Sequence, residues 1–362
     1  MAFPVGAGAG STGLTPAGRP GYNGAMIRSL TRFFFPALFA ARTAFPGPVS
    51  LPERAGELAG KAAAEERQVL EGREGWLFLA SELRHLSAGP FWGEAAQTAS
   101  RAAREDARDP LPAILDFHRA LKENGVELIL VPVPPKAVVY PGYLPGEGES
   151  GEGRDDIHHR KFYSLLEEDG VRVLDLTEDF REGEAPRGGY FYCRQDSHWS
   201  GAGCVRAAGR IAALVRPRLG EYEPQDFPAA WKEIEIEGDL RRMLADPEGP
   251  LETLKVRAVE GETVDPASPV LVLGDSHTLV FHAGGDMHGR GAGLADQLAY
   301  ELGRPVELIG VRGSGATPAR VNLFRRAGRD PDYWEGKRAV VWVFAAREFT
   351  ESDGWRLVPI AR

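Results

Sequence analysis

Cysteine is scarce in this 362-residue chain: Cys193 and Cys204 are the only two, too few for a disulfide framework or for a zinc site built on thiolates alone. They read as two buried free thiols, with a Cys193–Cys204 disulfide as the alternative in an oxidising compartment. Long apolar runs are missing as well, and nothing approaches the length needed to cross a bilayer. Positive charge is in deficit, with 43 Lys and Arg against 52 Asp and Glu and a net charge of -9, so nucleic acid is not expected as a partner. No internal repeat is visible. What remains is 43% hydrophobic content spread through a long chain, enough to bury a real core.

Residues 1–45 read as a disordered lead followed by a signal or membrane-anchor segment. Met1 to Gly24 is rich in Gly, Ala, Pro and Ser without apolar periodicity, and Met26 is an alternative start. Arg28 and Arg32 then precede Phe33 to Ala41, an apolar stretch of signal-peptide length. No clean small-x-small cleavage site follows, because Arg42 occupies a candidate position. Export, with the segment cleaved or kept as an anchor, is the expectation. Residues 46–108 read as a lead-in, of which 72–108 is expected to pack on a domain spanning 109–362.

Within that domain the pattern alternates strand and helix. Asp109-Pro110 opens a helix carrying Ile114, Leu115, Phe117 and Leu121, and Gly125 stops it. Val126 to Val131 reads as a central strand ended by Pro132-Val133-Pro134-Pro135-Lys136, because proline cannot continue a ladder. A helix over 157–168 leads to a strand over 171–176. Further strands are expected at 270–273, 306–309 and 339–344, and helices from Ser200 or Gly201, over Leu294 to Leu302, and from Thr317-Pro318. Residues 55–71 read as helix, and 227–266 as an irregular excursion with an exposed strand at Ile234-Glu235-Ile236. The order predicts an α/β fold with a mostly parallel central sheet and helices on both faces.

Open parallel sheets place their ligands at the strands' carboxyl ends. Three successive strands run into Gly274-Asp275-Ser276, Gly313-Ser314-Gly315 and Ala346-Arg347-Glu348, so a serine, a glycine-rich loop and an arginine are expected along one edge. A serine hydroxyl is a poor nucleophile until a base takes its proton, and the best source of a base is the distant Asp196-Ser197-His198-Trp199. Ser276 is therefore the candidate nucleophile, His198 the base and Asp196 its orienting carboxylate. Amides of Ser276 and of Gly313 or Ser314 are candidate oxyanion donors, Arg347 a candidate for oxyanion or substrate binding, and Trp199 a candidate wall of the site.

Those residues resemble a known family. Gly-Asp-Ser at a strand end with a distant upstream Asp-x-His-Trp is similar to the SGNH-hydrolase-like polysaccharide O-acetyltransferases of the AlgJ/AlgX type. The resemblance extends over about Gly72 to Thr350 and includes Gly75-Trp76-Leu77-Phe78, the 132–136 stretch with Tyr140-Pro141, Pro318-Ala319-Arg320 and Trp342 to Arg347. It implies a three-layer SGNH-hydrolase-like fold with its catalytic blocks in circularly permuted order. It also implies a periplasmic enzyme that moves acetyl groups onto an exopolysaccharide beside a membrane-bound O-acyltransferase, with no cofactor. Two features depart from the pattern: Cys193 has no family role, and Arg347 stands near the strand end where ordinary SGNH enzymes place an asparagine.

Other readings accompany this one. His277, His282 and His288 with Asp275 and Asp286 are metal-ligand types whose spacing matches no zinc motif. Lys136 and Tyr140, near a strand end, read as a solvated lysine and a packed tyrosine, with substrate contact as the alternative, and Trp76 and Trp342 read as core rather than substrate platforms. Arg320 and Arg347 are either carboxylate-binding forks or surface ion pairs. A triad of this kind also suits a carbohydrate acetylesterase, and the fold suits a non-catalytic polysaccharide-binding scaffold.

Overall fold

The apolar runs of the sequence become neighbours in one parallel sheet. A computed structural model describes residues 49–146 and 154–360, so the expected signal or anchor segment lies outside the described residues. The strands are β1 (Val69–Glu71), β2 (Leu77–Leu79), β3 (Glu127–Val133), β4 (Arg172–Val173), β5 (Ala229–Ile236), β6 (Glu252–Val259), β7 (Val270–Gly274), β8 (Glu307–Gly310) and β9 (Ala339–Ala345). The central sheet has five strands in the order β4-β3-β9-β7-β8, every pair parallel. The longer helices are α1 (Leu51–Ala64), α2 (Ala80–Ser87), α3 (Pro110–Glu123), α4 (Ile157–Glu168), α5 (Gly201–Val215), α6 (Leu294–Leu302) and α7 (Thr317–Ala327).

Side chains alternate along a strand, so the sheet supplies two cores. Ile129, Val131, Val270, Val272, Val341 and Val343 face one side, where Ile211 and Val215 of α5, Leu294 and Leu298 of α6, and the N-terminal Leu51, Trp76 and Phe78 cover them. Leu128, Leu130, Leu271, Leu273, Trp342 and Phe344 face the other, under Ile114 and Phe117 of α3, Phe162 of α4 and Leu323 of α7. This is the three-layer α/β architecture, and burial on both faces is why the central strands read as unbroken apolar runs.

The caps that fix the helices near the site are those expected. The Asp109 carboxylate accepts from Leu111 N, and the Ser200 hydroxyl accepts from Gly203 N, which pins the start of α5 just after His198. Cys193 and Cys204 are buried free thiols.

Four readings are corrected. The helix expected over 55–71 is α1, which begins earlier through a Ser50–Glu53 capping box and ends at Ala64; Glu66, at φ 54°, turns the chain into β1. β3 does not stop at Pro132, which pairs with Phe344 of β9. Its missing N–H faces the β4 side, and β4 pairs only with Ile129 and Leu130, so no ladder bond is lost. The strand expected over 171–176 shrinks to β4 because Asp175 Oδ1 accepts from Thr177 N and turns the chain away. The excursion is more regular than its sequence suggests: β5 and β6 pair antiparallel from Ala229↔Val259 to Ile236↔Glu252. Among the described residues no helix is long and apolar enough to cross a membrane.

Candidate active site

β7 runs out at Gly274, and Asp275 secures the turn that follows. Its Oδ1 accepts from His277 N at 2.8 Å and from His277 Nδ1 at 3.1 Å, while Oδ2 accepts from Ala345 N of β9 at 2.7 Å. The carboxylate thus ties the turn to the neighbouring strand and leaves Ser276 at the sheet's carboxyl edge. Burial pushes Asp275 up, but His277, the Ala345 amide and Arg347 outweigh it and hold the carboxyl below its usual range.

The distant Asp-Ser-His segment reaches that serine. His198 Nε2 lies 2.7 Å from Ser276 Oγ, and its Nδ1 lies 2.6 Å from Asp196 Oδ1. A carboxylate only accepts, so Nδ1 carries the hydrogen and Nε2 presents its lone pair to the hydroxyl. All three groups are at least nine-tenths buried. Burial depresses His198, yet Asp196, with Asp239 and Asp275, more than reverses this and holds its pKa above the ordinary value. Asp196 is likewise pushed up by burial, but His198 and His288 hold it well below the usual carboxylate range. The arrangement can pass a proton from a hydroxyl to an imidazole and stabilise the imidazolium that results.

Three residues around this centre were not placed in it from the sequence. Asp239 N donates to Asp196 Oδ2 at 2.7 Å, and Asp239's carboxylate accepts from Ser197 N and Ser197 Oγ. It comes from the connection between β5 and β6, and Gly238 makes the approach possible: a Cβ there would lie 2.0 Å from Gln195 O. His288 Nε2 lies 2.8 Å from Asp196 Oδ2. Lys136 is corrected from solvated to buried: its ammonium donates to Leu77 O at 2.8 Å, Arg194 O at 2.9 Å and Asp196 O at 3.0 Å, and sits over the Trp76 ring. Three donors meeting three carbonyls explains how an ammonium tolerates burial. The only local sequence signals were the Gly before Asp239 and the proline-rich run before Lys136.

The glycine-rich loop lies against the Ser276 turn. A Cβ on Gly315 would lie 2.9 Å from Asp275 N, and Gly315 O accepts from the Trp342 indole. Among the described residues the amides of Ser276, Gly313 and Ser314 have no protein acceptor. Ser314 Oγ is held by Glu348, whose pKa burial lifts to about 7. Arg347 is half-buried beside the site; burial works against its charge, but Glu348, Glu82, Asp275 and Asp239 outweigh it, with no direct ion pair among the described residues.

Two candidates are corrected. Trp199 is fully buried, with Nε1 donating to His277 O, so it supports the serine turn from beneath and does not wall the site. Arg320 is also buried: its guanidinium stacks 3.5 Å from the Phe117 ring centre and donates to Val358 O, so it neither binds a carboxylate nor forms a surface ion pair. The residues of metal-ligand type disperse, with His277 on Asp275, His282 on Asp296, His288 on Asp196 and Asp286 on Arg312. Asp196, His198 and Asp239 do converge, but on one another through the hydrogen bonds above.

A family model described as the SGNH hydrolase-like domain of acetyltransferase AlgX matches residues 69–346. The chain belongs to this family. Among relatives of the family, proteins named probable alginate O-acetylase AlgJ are 27% identical over 215 residues in Pseudomonas putida and 26% over 178 residues in Pseudomonas aeruginosa. These alignments cover 59% and 49% of this chain, and it spans about half the length of those curated relatives, 51% and 41%. The O-acetyltransferase domain of P. putida AlgJ superposes with a TM-score of 0.58 at 25% identity, over 78% of this chain and 92% of that one. P. aeruginosa AlgX superposes at 0.53 and 17% identity, over 76% and 61%, a likeness of fold.

Proposed function

We propose that the protein is an O-acetyltransferase that acetylates hydroxyls of an exopolysaccharide through an acyl-enzyme on Ser276. The observation that carries this reading is the continuous relay from Ser276 Oγ through His198 to Asp196, with links of 2.7 and 2.6 Å at the carboxyl edge of a parallel sheet. Ser276 Oγ attacks the acetyl carbonyl of a donor ester while His198 Nε2 takes its proton. The tetrahedral oxyanion is stabilised by the Ser276 amide and by the Gly313 or Ser314 amide. Collapse expels the donor's alkoxide, which leaves protonated by His198. A sugar hydroxyl then gives its proton to His198 and attacks the acyl-enzyme, and Ser276 recovers its hydrogen. Asp196 stays ionised throughout. Arg347, cationic and without an ion pair among the described residues, is the group available to bind substrate beside the serine.

The names of the relatives support a polysaccharide acceptor, and the basic and apolar stretch from Met26 to Ala41 supports export to the periplasm, cleaved or anchored to the inner membrane. There the acetyl donor would be supplied by a membrane-bound O-acyltransferase. Incubation with a chromogenic acetyl ester is expected to add one acetyl group to the peptide bearing Ser276, and addition of oligosaccharide to yield acetylated sugar. Free acetate with no acetylated sugar would replace this reading with an acetylesterase; no acyl-enzyme and no turnover would leave a binding scaffold.

A further inference from the structure

Two imidazoles compete for one carboxylate. His198 donates to Asp196 Oδ1, and on the opposite oxygen His288 Nε2 sits 2.8 Å from Oδ2 although 92 positions away in sequence. Because a carboxylate only accepts, Nε2 of His288 carries the hydrogen. The side chain is 5% exposed, backed by the Phe281 ring at 5.8 Å, and its one polar side-chain partner among the described residues is Asp196.

The backbone at His288 is held in an unusual shape. It has φ 69° and ψ -58°, and Gly289 N bonds to Met287 O at 2.9 Å, which together make a γ-turn centred on His288. Glycine would adopt this conformation freely, whereas an L side chain strains it. The chain carries that strain at the position whose side chain reaches the catalytic carboxylate.

We propose that His288 is a positioning residue of this centre, extending the Ser276–His198–Asp196 relay to a fourth member that fixes the Asp196 carboxylate and draws off part of its negative charge. The inference rests on the acyl-transfer reading above. With Asp239 N it occupies Oδ2, so Oδ1 alone is turned to His198. His288 takes no proton from the reaction; the transferred proton moves only between hydroxyl oxygen and His198 Nε2. Its hydrogen bond to Asp196 lessens how strongly that carboxylate favours the His198 imidazolium. The other groups facing His198 are Asp239, Asp275 and the His277 ring at 4.8 Å, with Arg347 acting on His277 from beyond it. His288 therefore offsets part of a strongly anionic surround and keeps the base unprotonated at lower pH.

The test uses the full chain, a chromogenic acetyl ester, and two variants, His288→Leu and His288→Gln. His288→Leu is expected to lose roughly tenfold to a hundredfold in kcat, the effect of one hydrogen bond to a charged group, with KM little changed. The acid limb of its kcat/KM profile is expected to move to higher pH, because Asp196 then acts undiluted on His198. His288→Gln, whose side-chain N–H can reach the same oxygen, is expected to restore both kcat and the limb. Loss of folded enzyme scales the profile without moving it, so the limb separates positioning from a merely structural role. An unmoved limb in His288→Leu, or a His288→Gln that behaves like His288→Leu, overturns the inference. A Ser276→Ala variant that still turns over the ester would instead sink the acyl-enzyme reading beneath it.

Discussion

Asp196-Ser197-His198 and Asp275-Ser276-His277 are the same three residues in the same order, and they fold alike. In each, the Asp Oδ1 accepts from the His amide, at 3.0 and 2.8 Å, and from the same His Nδ1, at 2.6 and 3.1 Å. Their second oxygens part company. Asp275 Oδ2 takes an amide of the adjacent strand, whereas Asp196 Oδ2 takes Asp239 N and His288. The serines differ in the same way: the Ser197 hydroxyl is consumed by Asp239, and that of Ser276 meets His198. His277, desolvated and near Arg347, is held below the ordinary histidine pKa, while His198 is held above it. Local sequence makes the turn; what the fold brings against it decides which partner each member of the triplet meets.

Exchanging the two serines for alanine breaks the comparison most sharply. Ser276→Ala is expected to lower ester turnover by about 10^5-fold or more, and Ser197→Ala by less than about threefold, since among the described residues Ser197 Oγ bonds only Asp239. Comparable losses in steady-state kcat for both would mean that the tertiary partners do not set the roles.

The two aspartates come next. Asp196→Asn is expected to cost about 10^4-fold in kcat, because an amide on Oδ1 favours the wrong His198 tautomer. Asp275→Asn sets an NH2 donor or a weaker acceptor against Ala345 N and His277, so about 2 to 3 kcal/mol of stability is expected to go, with a smaller loss of kcat. Urea unfolding beside kinetics separates the two signatures.

Much of this contrast was legible beforehand. The serine turn could be found because a buried strand has no reason to end in Gly-Asp-Ser, and the Ser200 cap marked where His198 must stop moving. Asp239 and His288 could not, because each acts through a contact made by chain 43 or 92 positions away, and neither sits in a periodic pattern. Lys136 and Arg320 misled for another reason. Cations are expected at the surface, and only the converging carbonyls or the Phe117 ring, absent from any local pattern, make their burial tolerable.

Glu348 sharpens the comparison through pH. It holds Ser314 beside the Asp275 turn, and burial raises its folded pKa to about 7. A raised pKa contributes stability that is fully present below the unfolded value and is lost as pH climbs through the folded one. Stability is therefore expected to fall by roughly 3 kcal/mol between pH about 4.5 and 7 from this group, and Glu348→Gln to flatten that slope in urea midpoints measured across the window. An unchanged slope would remove Glu348 as its source.

The smallest effect concerns how each turn is anchored. The 275 turn is fastened by strand β9, but the 196 turn leans on a side chain, the Lys136 ammonium that also holds Leu77 of β2. Lys136→Met keeps much of the volume and removes all three donors, leaving the carbonyls of Leu77, Arg194 and Asp196 without them. Each lost bond costs about 1 kcal/mol, partly offset because an ammonium no longer has to be desolvated, so a net loss of about 2 kcal/mol is expected. With the Asp196 carbonyl released, kcat is expected to fall a few-fold with KM unchanged, and His277 on the other turn to keep its titration by NMR. A urea midpoint and kcat both equal to wild type would mean that the Lys136 ammonium does not hold the 196 turn.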